Sequence, residues 1–164
     1  MGIIANINTL LKTIPKDVTL VAVSKTKQNS AILEAYQIGQ RIFGENKVQE
    51  LVQKAEELPK NINWHMIGHL QTNKVKFIAP FVSLIHGVDS VKLLKEINKR
   101  AKQNNRVIDC LLQVHIATES TKFGFDILEV NEAISNAKEF QNIRIVGLMG
   151  MATFTDNKQQ VIQE

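Results

Sequence analysis

Lys25 ends the apolar run Thr19-Leu20-Val21-Ala22-Val23-Ser24. A near-continuous apolar run of this length reads as a parallel strand buried on both faces. A primary amine at the carboxyl end of such a strand stands where α/β folds place their chemistry. When neutral it can add to an aldehyde and form a Schiff base, and apolar strand neighbours would favour the neutral form by desolvation. Taken alone, such a lysine is a solvated strand end. Other distinctive residues recur at equivalent places, however. They are Gly44-Glu45-Asn46, His65 with Gly68-His69, His86-Gly87-Val88-Asp89, His115, and Met149-Gly150-Met151.

Each of these also has a plain reading. Asn46 suits a helix N-cap as well as a contact to a ligand oxygen. His65 shares side-chain parity with Ile67, so it is a core histidine or a site residue. Gly44 and Gly68 suit tight turns. His65 and His69 are four apart, a helical metal-ligand spacing, but they straddle a strand end and a loop and no Glu follows His65. With Glu45, Asp89 and Glu119 as the few nearby carboxylates, no metal site is expected. Arg41 and Arg144 fall at amino ends of strands, and Arg100 and Arg106 flank a helix end, so no arginine is expected on the Lys25 face.

The elements that must carry these residues alternate along the chain. After a helix near Ile3 to Thr13, strands are expected at Thr19–Ser24, Arg41–Gly44, Asn63–Ile67, Phe81–His86, Val107–His115 and Ile143–Met149. Helices are expected at Ser30–Gly39, Lys47–Leu58, Gln71–Ala79, Ser90–Gln103, Asp126–Phe140 and Asp156–Glu164, with Ser30 and Asp126 as N-caps and Gly39 as a stop. Regular βα alternation implies a parallel sheet with helices outside. The first βα turn, Ser24-Lys25-Thr26-Lys27-Gln28-Asn29, has no glycine, and no Walker sequence occurs. That disfavours an open nucleotide-binding sheet and favours a TIM-type (β/α)8 barrel. Six units in 164 residues fall two short of a barrel, which takes about 250 residues. The expectation is one domain over residues 1–164, its last two βα units missing, with the first and sixth strands as open edges that could associate.

Bulk composition narrows the function classes. At 44% hydrophobic residues the chain has enough for a core. A net charge of +4 without a basic arm, and a single Trp and Tyr, give little platform for nucleic acid. Mild basicity suits small anionic ligands better. Cys110 is the sole cysteine, so a disulfide framework is excluded, and its apolar strand makes it a core residue. Neither a signal peptide nor a bilayer-length apolar stretch is present, and Ile7 breaks a myristoylation pattern at Gly2. The expected compartment is the cytoplasm.

Several segments together resemble the pyridoxal-phosphate homeostasis protein family. The most specific is Trp64-His65-Met66-Ile67-Gly68-His69-Leu70-Gln71-Thr72-Asn73-Lys74. Val21-Ala22-Val23-Ser24-Lys25 is similar to the family's cofactor-lysine segment, and Phe43-Gly44-Glu45-Asn46-Lys47-Val48-Gln49-Glu50 to its second-strand motif. Ser120-Thr121-Lys122-Phe123-Gly124 and Gly147-Leu148-Met149 also fit, and all run in family order. The resemblance implies a barrel like the N-terminal domain of alanine racemase, with pyridoxal 5'-phosphate held as an aldimine on Lys25. It places Asn46 against the cofactor; His65 and Met149, at neighbouring strand ends, are expected as further cofactor-binding positions. It implies binding and buffering of the cofactor without established turnover. The family's phosphate-holding segments correspond to the region after strands seven and eight, which this sequence does not contain.

Three functions follow from these readings. The first is a cofactor carrier acting through Lys25, with release by exchange onto another amine. The second is a pyridoxal-phosphate-dependent racemase-like enzyme. A two-base racemase needs a second base opposite the lysine; the only tyrosine, Tyr36, falls in the first helix after Lys25. The third is a binding module without cofactor, relying on diffuse basic charge.

Overall fold

The structure is a computed structural model and describes residues 2–117 and 123–164. Glu119 and the motif residues Ser120, Thr121 and Lys122 lie outside the described residues. The strands are β1 (Ala22–Val23), β2 (Ile42–Glu45), β3 (Asn63–Met66), β4 (Leu84–Val88), β5 (Ile108–Val114) and β6 (Ile143–Gly150). They form one sheet in the order β1-β2-β3-β4-β5-β6, and every neighbouring pair is parallel. Sequential order arises when each crossover places its strand beside the last in the same direction. A doubly wound sheet would reverse its order partway. The arrangement is therefore the arc of a barrel, as the alternation predicts.

The helices are α1 (Ile3–Leu11), α2 (Asn29–Gln37), α3 (Val48–Glu57), α4 (Val75–Ile78), α5 (Val91–Gln103), α6 (Ile127–Ala137) and α7 (Lys158–Gln163). Strand alternation sorts the side chains into two sets. Phe43, Trp64, Met66, Ile85, Cys110 and Leu112 are buried in one core with Leu51, Ile78, Leu94 and Ile97 of the helices. Phe43 and Trp64 meet with ring centroids 6.0 Å apart. Gly44, His65 and His86 belong to the alternate set, facing the inside of the arc. Burial of Cys110 raises its thiol to about 12, so it behaves as the core residue expected.

The largest departure from expectation is β1. Only Ala22 and Val23 pair with β2, and Val23 is 54% exposed. Thr19–Ser24 was expected to be a strand covered on both faces; here β1 is an edge with one neighbour, so most of the run lacks a ladder. β4 starts three residues later than its apolar run suggests, because Phe81 and Val82 donate their N–H groups back to the Ile78 carbonyl. Arg106 reinforces that turn by donating to the Ala79 and Val82 carbonyls. The helix expected at Gln71–Ala79 is a 3-10 turn, Thr72–Lys74, followed by the short α4.

Capping agrees in part. Asp126 and Glu129 form a capping box at α6, Ser90 accepts from the Leu93 N–H, and Gly39 ends its helix at φ +97°. Ser30, expected as a cap, lies inside α2; the N-cap position is Gln28, without a side-chain bond.

At the other edge, Val146 and Leu148 of β6 are 47% and 60% exposed. Paired with the bare ladder of β1, this predicts self-association of the 164-residue chain. Sizing chromatography at rising concentration should shift elution toward larger species; elution as a monomer throughout would contradict it.

Candidate functional site at the carboxyl ends of the strands

Lys25 sits in the tight turn directly after β1 and is exposed. The expected desolvation by apolar neighbours is therefore not supplied, because an edge strand cannot enclose its own end. Among the described residues the Lys25 side chain has neither a hydrogen bond nor an ion pair. Its backbone, in contrast, is tightly held. Ser24 is buried, and its hydroxyl donates to Glu45 Oε1 at 2.6 Å. Lys54, from α3, is 5% exposed, and its ammonium donates to the Ser24 carbonyl at 2.8 Å, Glu45 Oε1 at 2.8 Å and Glu50 Oε1 at 2.7 Å. Glu50 in turn accepts the Thr26 N–H at 2.6 Å. The Lys54 hydrogen bond is the leading reason the Glu50 carboxyl is held below its ordinary range.

Thr26 adopts φ +63°. That left-handed conformation strains a β-branched residue and persists only where its surroundings impose it. The i,i+4 spacing of Glu50 and Lys54 is the one trace of this cluster legible along the chain.

Asn46 follows β2 directly. The N-cap position of α3 is Lys47, without a side-chain cap bond, so the capping alternative for Asn46 falls away. Among the described residues the Asn46 amide takes no hydrogen-bond partner. The register places Val23 beside Gly44 and Gly44 beside His65. The residues just beyond the β1 and β2 ends, Lys25 and Asn46, thus project from adjoining strand ends. Gly68 matters here for contact rather than for turning. A Cβ on it would lie 2.5 Å from the Asn46 carbonyl oxygen and 2.8 Å from its Cα. A Cβ on Gly44 would meet the tip of the Ile67 side chain at 2.9 Å, a contact that side chain can relieve by shifting. Gly68 thus lets the β3 end close against Asn46.

His65 and His86 join deeper in the strands. Their ring nitrogens, Nδ1 and Nε2, are 3.0 Å apart, so one ring donates and the other accepts. His86 was expected at a strand end; because β4 runs on to Val88, it lies mid-strand instead, two residues past Leu84, the register partner of His65. Burial is the main cause lowering both, with His86 adding to the effect on His65, which falls to about 4. The pair is neutral at physiological pH. His69 takes a separate partner: its Nδ1 is 3.0 Å from Asp89 Oδ2, and its ring stacks on Phe123 at 4.1 Å. His65 and His69 therefore share no ligand geometry, and among the described residues no group of His, Cys, Asp and Glu could hold a metal ion.

Met149 pairs in register with Gln113 near the end of β6 and is half-buried. His115 follows β5, its N–H donating to the Phe125 carbonyl. The arginines stay away from this face, as expected. Arg41 donates to the Tyr36 and Gln40 carbonyls, Arg100 to Glu96 and Arg144 to Asp109.

The profile of the family described as alanine racemase, N-terminal domain, matches residues 2–164. The chain belongs to that family. It is 40% identical over 143 residues to the pyridoxal phosphate homeostasis protein of Aquifex aeolicus, covering 87% of this chain and 63% of that protein. The protein of that name from Escherichia coli K12 is 36% identical over 141 residues, covering 84% of this chain and 60% of the relative. The chain thus spans less than two thirds of the length of these relatives. Among solved structures, PipY of Synechococcus elongatus PCC7942, with PLP bound, superposes with a TM-score of 0.89 at 33% identity, over 98% of this chain and 75% of that one. Alanine racemase from Bartonella henselae matches in fold, with a TM-score of 0.72 at 20% identity over 98% of this chain and 47% of that one.

The residues of this face fit the aldehyde and ring of a pyridoxal cofactor: a primary amine and an unpartnered amide on adjoining strand ends, above an uncharged imidazole pair. The described face offers no arginine to a phosphate.

Two outcomes follow from the geometry. Gly68→Ala should destabilise the chain by about 1–3 kcal/mol through backbone overlap with Asn46, measured as a lower urea midpoint; an unchanged midpoint would contradict the contact. The second concerns acid. A histidine whose folded value is depressed stabilises the fold fully above its unfolded value, 6.5 for His65, and that contribution is lost as pH falls toward about 4. Thermal midpoints should therefore fall between pH 6.5 and 4, and His65→Asn should flatten that slope relative to the unsubstituted chain.

Proposed function

We propose that this chain is a pyridoxal 5'-phosphate-binding protein that holds the cofactor on Lys25 and contributes to its homeostasis in the cytoplasm, without turnover of its own. The observation that carries the reading is the pairing of an unengaged amine, Lys25, with an unengaged amide, Asn46, on adjoining strand ends. The PLP-bound PipY structure and the names of the curated relatives support it. Bound there, the cofactor supplies an aldehyde with which a primary amine forms a reversible Schiff base.

Lys25 provides that amine from a fixed turn. Its exposure keeps it within reach of competing amines, which suits reversible holding. Asn46 orients the ligand through an amide that can both donate and accept. His65 and His86 contribute a neutral floor, so no fixed cation competes with Lys25 there. Met149 adds an adaptable apolar wall.

The racemase alternative needs a second base facing Lys25. Tyr36, the sole tyrosine, donates its hydroxyl to Asn61 at 2.7 Å and lies beneath the Arg41 guanidinium at 3.8 Å. Asn61 precedes β3, at the amino ends of the strands. Tyr36 is thus engaged on the opposite side from Lys25.

Borohydride reduction after mixing with pyridoxal 5'-phosphate, followed by intact mass and peptide mapping, should place the adduct on Lys25. Lys25→Ala should abolish it, and neither alanine enantiomer should be converted. An adduct that survives Lys25→Ala would overturn the assignment, and measurable racemisation would restore the enzyme reading.

A further inference from the structure

We propose that Lys54 is a positioning residue for Lys25, acting through the two peptide groups on either side of it. This inference rests on Lys25 being the reactive amine. Lys54 lies 29 positions away in sequence, on α3 (54 − 25), and touches no part of the Lys25 side chain. An ammonium has three donors, and here all three are engaged, with the Ser24 carbonyl, Glu45 and Glu50. The Ser24 carbonyl belongs to the peptide entering Lys25. The Thr26 N–H belongs to the peptide leaving it, and its acceptor is the same Glu50 oxygen that Lys54 binds. One buried charge therefore fixes both flanks of the residue, the first directly and the second through Glu50.

Two further observations point the same way. The φ of +63° at Thr26 is a conformation that a threonine leaves unless it is held. Glu45 Oε2 is buried without a partner, so the cluster is not arranged for the greatest stability of its own members. It is arranged around the Lys25 turn. The consequence is directional. With its own side chain unengaged, Lys25 is aimed only by its backbone; the Lys27 N–H closes that turn onto the Ser24 carbonyl, and Lys54 ties the turn to α3 and β2.

The test uses the whole chain and two variants. Lys54→Met removes all three donors at similar length. Glu50→Ala, at a partly exposed position, removes the Thr26 acceptor and one of the three Lys54 acceptors, keeps the Ser24 and Glu45 acceptors of Lys54 in place, and decides the question should Lys54→Met fail to fold. Urea midpoints report the purely structural cost. The first decisive readout is amide exchange at Thr26 in cofactor-free protein, expected to quicken by about tenfold or more on losing a hydrogen bond to a charged group. The second is the share of borohydride-trapped pyridoxal 5'-phosphate found on Lys25 rather than on surface lysines, expected to fall in both variants.

Exchange and labelling at wild-type rates in a folded variant would overturn the proposal. So would faster exchange with the Lys25 share unchanged. If the unsubstituted chain itself is never labelled at Lys25, the functional reading fails. The exchange measurement then decides separately whether Lys54 fixes the turn.

Discussion

One buried ammonium governs the geometry of this molecule's functional edge. Removing Lys54 from water carries a desolvation cost of several kcal/mol, which only close, well-aimed acceptors can offset. Three such acceptors are present, from β2, from α3 itself and from the carbonyl at the end of β1. The interaction thus joins the edge strand to the second βα unit at the level where the turn begins. Without it, β1 would be held at its carboxyl end by a two-residue ladder and the Ser24 bonds to Gly44 and Glu45 alone.

Around that anchor the arc is assembled by strand alternation. Residues of one parity, such as Phe43, Trp64 and Met66, disappear beneath the helices. Residues of the other parity, Gly44, His65 and His86, supply small size and imidazoles to the inner face. The His65–His86 contact and the Gly68–Asn46 contact work together here. One fills the inner face with a hydrogen-bonded neutral pair, and the other draws the β3 end up against the residue that closes β2. The site is thus set by backbone proximity more than by side-chain crowding.

The existence and order of the elements could be read from the sequence, because β-branched runs and capping residues act over short range. The fold class followed from their alternation. The ends of elements were less legible, as β1 and β4 illustrate. Whether a strand residue pairs depends on its neighbour, and β1 has one neighbour instead of two. The strand-end positions of Lys25 and Asn46 could be read because the apolar runs before them mark where β1 and β2 stop. The Glu45–Lys54–Ser24 cluster could not, since its members meet only after a crossover has folded back. The His65–His86 pair is another such case: sequence reveals two histidines, and only the packing of β3 beside β4 brings their rings together. The exposure of Lys25 was misjudged for the same reason, burial being a property of what surrounds a strand.

Trp64 adds a practical consequence. It is the sole indole of the chain, 3% exposed, and it sits on the strand next to His65 yet turned toward the helices. Its emission will therefore track the integrity of the scaffold and stay largely blind to what occupies the opposite side. The protein carries its own optical gauge of folding, separate from any chromophore bound at Lys25.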